Sequence, residues 1–354
     1  MGTMRAVVAY GKGNYRYEQV GIPQIGTDEL LLKVEACGVC AGDIKCYEGG
    51  FRFWGGEGNP AYCEPPFIPG HEFIGRVAEV GTEYQGNLQA GSRIAVEQIV
   101  PCGCCVYCKS GQYWLCMPHD VFGFKSRLCG GFAEYVRIPQ NAICHAIPDE
   151  MPIEQAALIE PYACGLHAVD RANIAPGDVV IVAGAGTLGL SMITAASRLY
   201  PQALISIEPI AALREYSLRF GATHAIDVWT GESLPALLDV MTKGAGCDVY
   251  IEASGNTAAI SQGLRLIRKG GRYIEFSVFA GPANIDWSIL GDAKELNLYG
   301  ASLSPHCFPR AIKGIMSGEL KTDGVVTHQL PLEQFAEAFA LAKRHESIKT
   351  ILIP

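Results

Sequence analysis

One stretch constrains the fold of this chain more than any other. Residues 179–183, Val-Val-Ile-Val-Ala, are apolar without a break. The next six, Gly184-Ala185-Gly186-Thr187-Leu188-Gly189, open a segment with helical character up to about Leu199. An uninterrupted apolar strand is buried on both faces, as in parallel sheets covered by helices. The alternation repeats downstream: 204–208 reads as a buried strand, 211–220 as a helix, and 249–253 and 272–277 as further strands. Strands alternating with helices imply a parallel sheet with right-handed crossovers.

The glycine pattern carries a function as well as a fold. G-x-G-x-x-G alone is weak, but here a buried strand precedes it and a helix follows. Gly184 permits the tight turn, Gly186 lets backbone approach a pyrophosphate, and Gly189 lets helix and strand pack closely. Thr187 and Leu188 lie within the turn, where helical N–H groups favour phosphate. An acidic residue is then required about 20 residues on, and Glu208 lies nineteen residues past Gly189. Its carboxylate suits ribose hydroxyls and repels a 2′-phosphate, and Pro209 and Ile210 offer no cation. NAD is therefore expected over NADP. Arg214, Ser254, Ser277 and Val278 complete the expected cofactor-binding set. The bland alternative is a packing turn beside a surface Glu.

The first 147 residues differ in kind. Short strands at 5–10, 30–36, 73–80, 92–97 and 133–138 alternate with Gly and Pro turns, which suggests an all-β, partly open barrel. Helical spacing occupies 152–173. Residues 49–66, GGFRFWGGEGNPAYCEPP, show neither period and read as a long loop, either a binding element or a surface excursion.

The chain has 14 cysteines. Its start is short and strand-like rather than a leader, and no apolar run is long enough to span a bilayer. A cytoplasmic location is expected, where cysteine clusters serve metals or chemistry rather than disulfides. Cys102, Cys105, Cys108 and Cys116 give C-x2-C-x2-C-x7-C, a spacing able to close a tetrahedral zinc shell. Cys104 is a bystander in this reading. A net charge of −8 and a pI near 5.5 argue against nucleic acid as a partner.

Three dispersed fragments remain: Cys37-Gly38-Val39-Cys40-Ala41-Gly42-Asp43, Gly70-His71-Glu72 and Ile159-Glu160-Pro161. Each is weak alone, and Cys37 reads as core. In order with the four-cysteine loop and the glycine turn, they resemble the zinc-dependent medium-chain alcohol and polyol dehydrogenases along nearly the whole chain. The Ile-Glu-Pro fragment is similar to the sorbitol dehydrogenase branch, and the 49–66 loop to erythritol and threitol dehydrogenases.

The resemblance implies an α/β protein with a GroES-like catalytic domain (1–161), a Rossmann domain (162–300) and a C-terminal segment returning to the first domain (301–354), the active site lying between the domains. It implies two zinc ions per chain. Cys40 and His71 hold the catalytic one with Glu72 or Glu160, Asp43 orients His71, and the four cysteines hold the structural one. The implied reaction passes hydride from a secondary hydroxyl of a small polyol to NAD. Phe53, Trp54 and Phe122 are candidate substrate contacts, with Glu57 or Arg52 meeting hydroxyls. Simple alcohol dehydrogenation and non-catalytic NAD binding are the competing readings. Where many relatives carry Ser or Thr for proton relay this chain has Gly42, so zinc-bound water with Glu160 or Glu72 is expected to take over; Lys45 reads as a surface residue. A homodimer or homotetramer is expected, with strand 272–277 a candidate edge, and no membrane partner.

Overall fold

The structure is a computed structural model that describes residues 2–56, 58, 60–227, 234–279 and 281–354. The chain divides into two compact units. One comprises Met1–Glu160, Phe308–Met316 and Thr322–Pro354; the other comprises Pro161–Cys307 and Ser317–Lys321.

The first unit is built on a seven-stranded, mainly antiparallel sheet. Its order is Val326–Pro331, Lys349–Ile353, Leu30–Gly38, Glu72–Val80, Arg93–Val96 and Cys144–Ala146, with Tyr135–Ile138 also pairing Leu30–Gly38. Leu30–Gly38 is central because its residues are apolar on both faces: Leu30, Leu32, Ala36 and Cys37 are all buried. Its end fixes the site. Gly38 pairs with Glu72 across the sheet, and a Cβ at Gly38 would stand 2.1 Å from Glu72 Oε2. Only glycine leaves room there for the carboxylate. The last strand meets the same end, with Ile351 opposite Gly38.

The 49–66 segment holds one helical turn, Phe51–Trp54, flanked by Gly50 and by Gly55 at φ +74°. Four residues are too few to show a period, which is why the sequence reads as loop. Glu57 lies outside the described residues. The helical stretch expected over 152–173 is two helices, Ile153–Ala156 and Ile159–Ala172. Pro161 explains the break. It lacks an N–H and its ring crowds the carbonyl four residues back, so it is tolerated only in a first turn.

The second unit carries six parallel strands in the order His224–Ile226, Ala203–Ile207, Val179–Ala183, Cys247–Glu252, Ile267–Glu275 and Asn297–Gly300. Val179, Ile181, Ile205, Tyr250 and Tyr273 anchor its core. Strand 272–277 is not an edge: it belongs to Ile267–Glu275, which is flanked on both sides. Asn297–Gly300 takes the edge instead. It is polar and exposed enough to lack a strand signature. Among the described residues no helix is long and apolar enough to cross a membrane.

Candidate active site and metal centres

Cys40 lies two residues past the central strand and begins the helix Ala41–Tyr47. Its Sγ accepts from the Gly42 N–H at 3.4 Å, while Asp43 Oδ2 accepts from the Cys40 N–H at 2.9 Å. This capping box points the sulfur and Asp43 toward one side. His71 and Glu72 come from the start of the adjacent strand. Donor atoms of Cys40, His71 and Glu72 all lie within 4.8 Å of one another. Asp43 Oδ1 faces His71 Nδ1 at 3.4 Å, and neither atom meets full hydrogen-bond geometry with a partner. Burial alone would lower the His71 pKa, but Asp43 and the Cys40 thiol hold it well above the ordinary imidazole value. Burial and Glu72 raise the Cys40 thiol. The group holds protons that a cation would displace.

Glu160 is buried and close enough to Lys349 to favour its charge, but it is not in that 4.8 Å group. Its Oε1 accepts from Gln98 Nε2 at 2.5 Å. Glu72 Oε2 is instead paired with Lys349 Nζ at 2.6 Å, and Lys349 is also buried and donates to Val39 O. Neither Gln98 nor Lys349 was signalled by the sequence. Lys349 lies 277 positions from Glu72, and an isolated Lys in a strand has no local mark of burial.

The aromatic neighbours divide. Phe53 stacks on Phe124 at 5.4 Å, and Phe124 in turn lies 5.6 Å from the His71 ring. Trp54 donates Nε1–H to Cys46 O at 2.7 Å and tilts over Phe67, which fastens the segment to the Cys40 helix. Phe122, expected at the substrate, is instead core. It is fully buried and meets Phe73 edge-on at 5.2 Å. A turn through Gly123, at φ +88°, lies between the two and reorients the chain, so that Phe124 faces His71 while Phe122 packs on Phe73. Arg52 is exposed beside Phe51, and Lys45 is half-buried.

Cys102, Cys105, Cys108 and Cys116 also bring their sulfurs within 4.8 Å of one another. Cys104 is exposed with its Sγ 3.6 Å from Cys102. Backbone N–H groups of Cys104 and Cys105 lower the Cys102 thiol to about 6, whereas burial pushes Cys116 up to about 12. Four thiols this close cannot all ionise without a cation, and a tetrathiolate set suits zinc.

In the second unit the glycine turn has the geometry a dinucleotide needs. Gly184 sits at φ +97°, and a Cβ at Gly189 would stand 2.0 Å from Gly184 O. A Cβ at Gly186 would meet nothing within 4 Å, so this side of the turn is open. The helix Thr187–Ser197 has no side-chain cap at Gly186, which leaves its first turn suited to an anion. Leu188 follows Thr187 in that turn. Glu208 accepts from the N–H groups of Ala185 at 2.8 Å and Ile210 at 2.9 Å, so it is held beside the turn. Arg214 is directed to the carbonyls of Glu208 and Pro209 and lies 3.4 Å from Asp227. Ser254 donates to Glu252, Ser277 Oγ accepts from the Gly255 N–H at 3.0 Å, and Val278 is exposed. These three lie past the ends of neighbouring strands, on the side where parallel sheets bind ligands.

Two family models match the chain: the alcohol dehydrogenase GroES-like domain over residues 26–149 and the zinc-binding dehydrogenase model over 187–317. The chain is 45% identical to erythritol/L-threitol dehydrogenase of Mycolicibacterium smegmatis, covering 99% of this chain and 98% of the relative. It is 34% identical to sorbitol dehydrogenase of Bacillus subtilis, covering 99% and 97%. The chain belongs to the zinc-dependent medium-chain dehydrogenase family. A crystal structure of a zinc-binding dehydrogenase from Sinorhizobium meliloti 1021 bound to NADP superposes on this dehydrogenase over 100% of both chains, with TM-score 0.89 and 29% identity. The expected GroES-like and Rossmann architecture is the observed one. The cofactors of this dehydrogenase are zinc and a nicotinamide dinucleotide, and the donor sets and the open glycine turn fit both.

Proposed function

We propose that this dehydrogenase oxidises a secondary hydroxyl of a small polyol, of the four-carbon erythritol and threitol class, to a ketose with NAD as acceptor. The observation that carries the reading is the 45% identity, end to end, with an erythritol/L-threitol dehydrogenase. It is supported by the ring wall of Phe53 and Phe124 beside His71.

Cys40 and His71, with Glu72 or Glu160, would hold the catalytic zinc, and the four cysteines a structural one. Bound zinc supplies Lewis-acid polarisation of a hydroxyl or carbonyl, and the nicotinamide ring supplies the hydride acceptor. The protein's own groups do the rest. Asp43 fixes the His71 ring and the Cys40 backbone. Phe53 and Phe124 keep bulk water from the His71 side. The buried carboxylates take the hydroxyl proton in place of the hydroxyl that Gly42 lacks.

In the second unit the turn from Gly184 to Gly189 would seat the pyrophosphate, with Thr187 and Leu188 in the first helical turn. Ser254, Ser277 and Val278 would line the remainder of the cofactor. Glu208 would receive the adenosine ribose. Asp227 adds a second carboxylate nearby, and Arg214 is engaged by that carboxylate and two carbonyls. Arg214 is thus held by groups of the protein itself, which supports NAD over NADP. Functionally, the first unit is the catalytic domain and the second the cofactor domain. Among the described residues no two cysteines form a disulfide, in keeping with a reducing cytoplasm. The exposed edge Asn297–Gly300 supports pairing between subunits of a homodimer or homotetramer.

A screen of C4 to C6 polyols with NAD and with NADP tests the reading. The expected result is greatest turnover with a tetritol and NAD. Faster turnover of simple monohydric alcohols, or a preference for NADP, would overturn it.

A further inference from the structure

Glu72, in the candidate metal group, and Glu160, which acts on the same Lys349 charge, are restrained by different kinds of donor. Glu72 is paired with a buried ammonium, Lys349, at 2.6 Å. Glu160 is paired with a neutral carboxamide, Gln98, at 2.5 Å. All four side chains are buried. Separating Glu72 from Lys349 would part a buried cation from the carboxylate in contact with it, which is strongly unfavourable. Parting Glu160 from Gln98 breaks a hydrogen bond to a charged group and leaves behind a neutral amide. Of these two pairings, the one between Glu160 and Gln98 is the less costly to break.

The catch is itself held. Glu97 and Gln98 occupy the break between the strands Arg93–Val96 and Ile99–Val100. Glu97 N–H donates to Ile143 O, and Gln98 O accepts from Phe122 N–H, each at 2.9 Å. The Glu97 carboxylate meets His145 Nε2 at 2.9 Å and accepts from Tyr113 OH at 2.8 Å. Tyr113 belongs to the loop between Cys102 and Cys116. One residue of this pair is anchored to the cysteine loop while the next reaches Glu160.

The geometry points to Gln98 as a positioning residue: its carboxamide retains Glu160 and sets how readily that carboxylate reaches the metal beside Cys40 and His71. This rests on the reading above that a zinc occupies that centre. Gln98 is not itself a metal ligand in this assignment and acts through Glu160.

The test uses the full-length protein with Gln98→Leu and Gln98→Asn, each made with Glu160 intact and with Glu160→Ala. Zinc release to a chromogenic chelator and the visible spectrum of the cobalt-substituted protein are the readouts. With Glu160 intact, losing the catch leaves the carboxylate on the metal for longer. Zinc release then slows by about tenfold, the order expected for one charge-assisted hydrogen bond, and the cobalt bands shift. In the Glu160→Ala background both effects vanish, because the two residues act as one unit. Unchanged release and spectrum with Glu160 intact would overturn the assignment, as would equal changes in both backgrounds. Should neither Gln98 variant fold, Glu160→Ala alone decides: a cobalt spectrum identical to that of the parent means Glu160 never reaches the metal. A parent protein that binds zinc only at the four cysteines overturns the catalytic-metal reading itself, an outcome separate from any result at Gln98.

Discussion

Gly42 is where a single residue has the sharpest chemical consequence. A Cβ at this position would meet Cys40 Sγ at 3.7 Å and His71 Cε1 at 3.8 Å, both ordinary contacts. The site therefore has space for a β-carbon that it does not use. General acid–base groups contribute about a hundredfold or more where proton transfer limits the rate. If the buried carboxylates already carry the proton, Gly42→Ser leaves the melting temperature unchanged and alters kcat by less than about threefold. A rise in kcat of tenfold or more in steady-state kinetics would show that the relay is missing rather than replaced. Gly38 makes the opposite case, since its missing Cβ is occupied by Glu72. The sequence marks both positions only as glycines. Which one is filled and which is open depends on what stands across from each.

At the scale of an element, the cysteine loop is short, and its two helical pieces span three and four residues. Val106, Tyr107, Leu115 and Met117 are exposed. Little apolar burial holds the loop, so its order depends on a cation drawing four thiols together. Cys105→Ser is expected to lower bound zinc from two ions per chain to one, measured by atomic emission. It should lower the melting temperature by roughly 5 °C or more, through the lost cross-link. Through Tyr113 and Glu97 it should also loosen the backbone that presents Gln98. The loop and the Gly184–Gly189 turn were legible in the sequence because each is a local device: its residues lie within one short segment and must meet one another. The Phe53–Phe124 wall was not, because it joins two segments that share no pattern.

For the molecule as a whole, His167 shows how the buried helix Ile159–Ala172 couples stability to pH. Burial lowers its pKa to about 4, with Arg171 and His306 adding to the shift and Asp170 opposing it. An unfolded histidine titrates near 6.5. Between those values the unfolded chain takes up a proton that the folded chain refuses. Stability is therefore complete above about 6.5 and is lost as pH falls toward 4. His167→Gln should flatten the pH dependence of the urea midpoint across that window, by up to one proton's worth of slope. An unaltered slope would mean that other groups dominate the acid transition.

The chemistry this chain can perform was written in linear order: the glycine turn after an apolar strand, the four-cysteine spacing, Gly-His-Glu and the acidic residue after the second strand. Short-range sterics and the spacing of donors force those patterns whatever surrounds them. The partners that restrain the reactive groups were not. Lys349 on Glu72, Gln98 on Glu160, Phe124 against His71 and the interior place of Ile267–Glu275, one strand from the edge, arise only when segments distant in the chain are laid side by side. Burial is a property of the folded sheet, and a lysine or glutamine carries no sign of it until its neighbours have been brought in.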